Sequence, residues 1–216
     1  MKEYPKIQSL FKRDKSKKIV IGDYSIKEFK YLENNLWEFT EKINGMNICI
    51  KWDGINIRFG NLDSHIPTKL INFCMDIIFN QSETFQSIFG NDNVELYFEG
   101  YGKGIQEPDG SRYLSDSNSL ILFDINIDGW WLQYDNCKQI TKELGLDIVP
   151  LIGKGNLKYL MKIVQNGFKS ELGNLIAEGI VAKPLIPLYT KKGDRIITKL
   201  KYLDFPSSVR GIVHLG

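Results

Sequence analysis

The chain has little of what most enzymes use to hold transition metals or to shuttle protons. Only His65 and His214 occur among 216 residues, so a multi-histidine metal site or an obligatory histidine base has little material. The three cysteines, Cys49, Cys74 and Cys137, are odd in number and far apart, which argues against a zinc knuckle and suits a reduced, intracellular, cytoplasmic setting. No apolar run approaches the roughly 20 residues that a membrane-spanning helix needs, so no membrane partner is expected. The opening stretch MKEYPKIQSLFKRDKSKK carries charges where a secretory leader needs its apolar region, and secretion is not expected. A large charge of one sign is also missing. Lys and Arg number 28 against 26 Asp and Glu, and a net +2 marks a nucleic-acid binder only if the cations cluster.

What is present describes a folded domain. The chain is 43% hydrophobic and 12% aromatic, enough to exclude whole-chain disorder and to bury a sizeable core. High Lys, Asn and Ile usage suits an AT-rich genome of viral or phage-like kind. The cations do partly cluster: Lys12, Arg13, Lys15, Lys17 and Lys18 form one run, which reads mainly as solvated surface. Lys191, Lys192, Arg195, Lys199 and Lys201 form a second, and here the pattern alternates. A period near two over 194–201 puts Lys199 and Lys201 on one face of a strand. Two ammonium groups so placed repel unless an anion lies between them, and a phosphate would serve.

The coarse pattern is strand-rich with a few helices. Asp53-Gly54 and Asp128-Gly129 each separate alternating apolar runs, which predicts two hairpins with type I′ turns. Further strands are expected near 94–101, 178–183 and 194–201, and helices over 68–79, 136–144 and 157–165, the last two closed by Gly145 and Gly167. Antiparallel hairpins without a βαβ rhythm imply an α+β fold. No repeat or linker appears, so one domain over 1–216 is expected, with 1–30 a basic N-terminal extension.

A lysine followed two residues later by Asn-Gly or Asp-Gly occurs twice, at Lys42 and at Lys51. The hairpin turn accounts fully for Asp53-Gly54 after Lys51. Lys42 instead ends a strand (36–41) at an Asn-Gly turn, beside Glu41. There desolvation or neighbouring positive charge can lower a lysine pKa and free the amine as a nucleophile.

Taken together, Glu41-Lys42-Ile43-Asn44-Gly45-Met46-Asn47, Leu96-Tyr97-Phe98-Glu99-Gly100, Leu122-Phe123-Asp124-Ile125, Glu178-Gly179-Ile180-Val181-Ala182-Lys183 and Lys199-Leu200-Lys201 resemble motifs I, III, IIIa, IV and V of the covalent nucleotidyltransferases. That superfamily comprises ATP-dependent RNA ligases, DNA ligases and mRNA capping enzymes. The Glu-Lys-x-x-Gly-x-Asn form and the Ile57-Arg58-Phe59-Gly60 stretch are most similar to RNA ligases of the phage RNA-ligase-2 type. Two positions depart: Asn44 stands where Asp or His is commoner, and Phe98 where a small residue often precedes the motif III glutamate.

The resemblance implies an antiparallel-sheet nucleotidyltransferase domain that uses ATP as co-substrate and Mg²⁺ or Mn²⁺ as metal. Lys42 would attack the α-phosphate of ATP and hold AMP. Glu41 would lie next to the adenine, partly through its backbone, Ile43 would bind the nucleotide, and Asn47 and Arg58 would contact the sugar and phosphate. Glu99 would reach the ribose hydroxyls. Phe123 would stack on the base, although a core phenylalanine in a buried strand reads the same way. Glu178 would bind the metal, while Lys199 and Lys201 neutralise phosphates. Glu107, Asp109 and Asp116 receive no role beyond solvation.

The implied function is RNA ligation and repair: joining 5′-phosphate and 3′-hydroxyl RNA ends through lysyl-AMP and an adenylylated RNA end. The alternatives are a DNA ligase, a capping-type nucleotidyltransferase and, least favoured, a non-catalytic nucleotide- or RNA-binding accessory protein. Only 15 residues follow Lys201, too few for an OB-fold, so no appended OB-fold is expected. Grip on the nucleic acid is then expected from this domain, from the basic run or from a partner protein.

Overall fold

The computed structural model describes residues 4–61 and 66–211, so both histidines lie outside the described residues. In chain order the first elements are β1 (Gln8–Ser9), β2 (Phe11–Arg13), β3 (Ile19–Tyr24), α1 (Lys27–Tyr31), β4 (Trp37–Lys42), β5 (Met46–Trp52) and β6 (Ile57–Asn61). Next come α2 (Thr68–Ile77), α3 (Ser82–Phe89), β7 (Val94–Gly102), α4 (Asp109–Tyr113), β8 (Asn118–Ile127), β9 (Trp130–Trp131) and α5 (Tyr134–Glu143). The last are β10 (Asp147–Ile148), β11 (Leu151–Gly155), α6 (Leu157–Asn166), β12 (Gly179–Pro184) and β13 (Thr198–Lys201). Pairing is antiparallel except for two short parallel pairs, β1 with β13 and β8 with β10. The fold is α+β.

The elements form two compact units: Tyr4 with residues 44–149, and residues 5–43 with 150–211. In the first, six strands run in the order β10-β8-β7-β5-β6, with β9 paired to β8. Strand alternation sends Ile48, Ile50, Leu96, Phe98 and Leu122 into a core closed by Leu70 of α2, Phe85 of α3 and Cys137 of α5. The opposite face carries Asn47, Lys51, Glu95, Tyr97 and Glu99, matched across β5 and β7. The Asp128-Gly129 turn is as expected: both residues have positive φ (47° and 92°), and Ile127 pairs with Trp130. The Asp53-Gly54 turn differs, since the ladder stops at Trp52 and Ile57 and leaves four residues between them. Asp53 Oδ1 accepts from the Ile55 and Asn56 N–H groups at 3.1 and 2.8 Å, an Asx turn that its side chain favours over the two-residue form.

In the second unit the sheet order is β1-β13-β12-β4-β11, and α6 packs on β12 and β13. Trp37, Phe39, Leu160, Val164, Ile180 and Leu200 fill its core. Asn156 caps α6 by accepting from Tyr159 N at 2.9 Å, and Gly167 (φ 73°) ends it. The segment read as a basic extension contributes Leu10, Phe11, Ile19 and Phe29 to this core. Leu10-Phe11 and Ile19 flank the Lys12–Lys18 charge run, which draws the reading toward solvated surface. The strand expected over 194–201 shortens to β13, because Arg195 forms an isolated bridge with Tyr189. Among the described residues no helix is long and apolar enough to cross a membrane.

Leu160 is fully buried in the second core, whereas Tyr31 is 78% exposed. Leu160→Ala is expected to lower unfolding free energy by about 2–5 kcal/mol, and Tyr31→Ala to change it by no more than about 0.5 kcal/mol, measured from denaturant midpoints.

Candidate active site

β12 lies between β4 and β13, and the registers align Lys42 with Gly179 and Gly179 with Lys201. Lys42 and Lys201 therefore flank Gly179 on one sheet face, with Lys199 two residues along β13. Gly179 must lack a side chain, since a Cβ there would collide with the Leu200 carbonyl oxygen. Glu178, the residue before β12, answers both cations. Its Oε2 is 2.6 Å from Lys42 Nζ and its Oε1 is 2.5 Å from Lys201 Nζ. Lys42 Nζ also donates to the Ile43 carbonyl at 3.3 Å. The Lys42 and Glu178 side chains are only 19% and 13% exposed, so water screens the pair poorly.

Lys199 is held below the ordinary lysine pKa, first by burial and then by the ammonium groups of Lys42 and Lys201; Glu178 pulls the other way. Three cations thus face one carboxylate. The cluster is short of negative charge, and phosphate oxygens would supply it. This is the shared face that alternation predicts for Lys199 and Lys201.

Glu41 belongs to the other face of β4. Its carboxylate is buried (1% exposed) and accepts from Ser170 Oγ at 2.5 Å and from Glu171 N–H at 3.1 Å. Burial pushes this carboxyl above its ordinary value. The side chain therefore braces the 170–171 turn against β4, and does not share the lysine face. Ile43 is buried.

The remaining expected residues lie in the other unit. Asn47 pairs across the ladder with Glu99, and Glu99 Oε1 accepts from Gly45 N–H at 3.1 Å. Phe123 is the extra residue of a bulge in β8, where the register slips between the Tyr97 and Phe98 pairs. The bulge turns its ring away from the helix-covered core, edge-on to Tyr4 at 5.0 Å and tilted against Tyr97 at 6.3 Å. Arg58 is not brought together with Asn47 and Glu99. It lies opposite Lys51, four residues along β5 or roughly 13 Å away, and pairs with Asp53 at 2.5 Å. A cavity of about 370 Å³ at that end is lined by Lys51, Asp53, Arg58 and Glu95, among others. Lys51 itself is ion-paired with Glu95.

Of the three acidic residues given no role, Glu107 and Asp109 have structural ones, while Asp116 stays a solvated surface residue. Glu107 accepts from Gly104 N–H at 2.6 Å and Ser111 Oγ at 2.7 Å, and Asp116 lies 3.5 Å from Lys103 Nζ. Asp109 Oδ2 accepts from Asn44 Nδ2 at 2.9 Å. Ser170 carried no local signal at all. Among the described residues no group of three or more His, Cys, Asp or Glu is placed to hold a metal, which leaves Glu178 as the carboxylate at the lysine cluster.

A family model described as RNA ligase matches residues 35–201, a span that contains Lys42, Glu178, Lys199 and Lys201. The chain belongs to the RNA ligase family. RNA ligases of Naegleria gruberi resemble this family member in structure. One variant solved with ATP and Mn gives a TM-score of 0.62 at 18% identity, covering 82% of this chain and 52% of that one. An apo variant gives 0.60 at 17% identity, covering 93% and 61%. At such identity the likeness is one of fold. The chain spans about half the length of the first of these relatives. A search of curated protein sequences gives no significant match.

The raised Glu41 pKa has a defined sign. The folded chain binds that proton more tightly than the unfolded chain, so this carboxyl makes stability fall as pH rises from the ordinary value of 4.5 through the folded value. Glu41→Gln can accept from Glu171 N–H with its one oxygen and donate its amide to Ser170 Oγ, and it cannot ionise. Wild type is expected to lose stability relative to Glu41→Gln as pH increases across that window, checked by denaturant unfolding at a series of pH values.

Proposed function

We propose that this RNA ligase family member is an ATP-dependent RNA ligase, joining 5′-phosphate and 3′-hydroxyl ends through lysyl-AMP on Lys42. The observation that carries the reading is the Lys42–Glu178–Lys201 bridge with Lys199 beside it. It combines an amine, a hard carboxylate and two further cations on one sheet face. A binding module needs no such half-buried lysine locked to a carboxylate.

A divalent ion, Mg²⁺ or Mn²⁺, suits Glu178. With a single carboxylate at the cluster, most other ligands would be water and phosphate oxygens, which is how Mg²⁺ is usually held. When bound, such an ion neutralises phosphate charge and eases the departure of pyrophosphate. The protein's own groups do the rest. Glu178 fixes the Lys42 side chain by a 2.6 Å contact. The Lys42 ammonium gives one proton to solvent. Its lone pair forms a bond to the α-phosphorus while the bond from that phosphorus to the bridging oxygen breaks and pyrophosphate leaves. A second proton passes from the nitrogen to solvent to give the phosphoramide. Lys199 and Lys201 balance the charge on the phosphate oxygens. An oxygen of an RNA 5′-phosphate then takes the AMP, returning Lys42, and attack by a 3′-hydroxyl seals the strand and releases AMP. The three cysteines are free and buried, which suits a reducing, intracellular setting.

Intact-protein mass after incubation with ATP, Mg²⁺ and pyrophosphatase tests the first step. Wild type and Lys51→Ala are expected to gain one AMP, and Lys42→Ala none. Sealing assays with RNA, DNA and hybrid nicks test the second, with an RNA-containing nick preferred. A GMP adduct, an all-DNA preference, or no adduct together with no AMP carried through purification would each overturn the proposal.

A further inference from the structure

We propose that Asp109 is a positioning residue for the turn that follows the nucleophile, and that it dictates asparagine, not aspartate, at position 44. The inference rests on the lysyl-AMP reading of Lys42. Three groups of one unit hold this turn. Asn44 Nδ2 donates to Asp109 Oδ2 at 2.9 Å, Asn44 N–H to Tyr113 Oη at 3.3 Å, and Gly45 N–H to Glu99 Oε1 at 3.1 Å. Gly45 could carry no side chain here, because a Cβ would run into Gly100 O and Glu99 Cγ.

Asp109 and Tyr113 are four apart on α4, so both reach the turn from one helix face. Between them Gly110 presses directly on the carbonyls of Gly102 and Ile105, where a Cβ would collide with both. α4 is thereby set at a fixed height over the end of β7. The second Asp109 oxygen, Oδ1, lies 3.5 Å from Arg112 Nη1. Each carboxylate oxygen thus has its own partner.

A carboxylate only accepts hydrogen bonds, so whatever stands at position 44 must donate. Asparagine does. Aspartate, common at this place in the motif, would set two carboxylates at hydrogen-bond distance, where like charges oppose joint ionisation. The asparagine that departs from the usual pattern is therefore the residue α4 requires. Its side chain is committed to the protein and not to the nucleotide.

The experiment compares Asn44→Asp, Asp109→Asn and the double variant, which reverses donor and acceptor. The readouts are single-turnover lysyl-AMP formation at varied ATP and the melting temperature. Asn44→Asp is expected to slow adduct formation by about tenfold or more, with KM for ATP little changed, since a hydrogen bond to a charged group is lost. Asp109→Asn keeps an acceptor oxygen and should stay within about threefold of wild type. The double variant should recover most of the rate. Equal loss in Asn44→Asp and the double variant, or loss expressed as a raised KM, would overturn the proposal by showing that Asn44 serves the nucleotide. An unimpaired Asn44→Asp would overturn it as well. Wild type that forms no adduct would overturn the lysyl-AMP reading instead. The pairing would then be judged by melting temperature, which Asn44→Asp lowers and the double variant restores.

Discussion

One carboxylate shared by two lysines organises the sheet that carries Lys42. Two unit charges about 6 Å apart repel by about 3 kcal/mol at an effective dielectric of 20. Three ammonium groups crowded on adjacent strands would therefore push the strand ends apart. Glu178 offsets that repulsion by giving one oxygen to Lys42 and the other to Lys201. It does not cancel it. Burial first, and then the ammonium groups of Lys42 and Lys201, hold the Lys199 pKa below its ordinary value.

Backbone proximity imposes a second constraint. Glu178 can stand between the lysines because Gly179 lets β12 lie directly beside the Leu200 carbonyl. Gly45 does similar work in the other unit, letting its own N–H reach Glu99. In both places a charged residue and a bare backbone act together, which explains why the sequence pairs glutamate with glycine and asparagine with glycine at these points. The chemistry is carried by side chains, but their spacing is set by residues that have none.

Much of this was legible because it is periodic or local. Alternation located β5, β7 and β8, and Asp128-Gly129 defined its hairpin through its own backbone preference. The parity of Lys199 and Lys201 announced their common face. Lys42 could be separated from Lys51 only weakly by local sequence. The structure separates them by charge: Lys51 is paired with Glu95 on the sheet, while Lys42 sits in a cluster with cations in excess. What was hidden depends on distant partners. Glu41 turns to Ser170, 129 residues away, and Asn44 to Asp109, 65 residues away. No local pattern encodes such contacts. Arg58 lies farther along the strand, opposite Lys51, and pairs with Asp53.

The division of the chain has a practical corollary. The polypeptide passes from one unit to the other between Tyr4 and Pro5, between Ile43 and Asn44, and between Val149 and Pro150. Neither unit is a contiguous stretch, so neither can be isolated by a single cut. A truncation that discards the basic opening segment as dispensable would remove β1 from the edge of β13. It would also take Leu10, Phe11, Ile19 and Phe29 out of the core beneath the lysine cluster's sheet. Trimming the amino terminus to improve solubility would thus excavate that sheet from below.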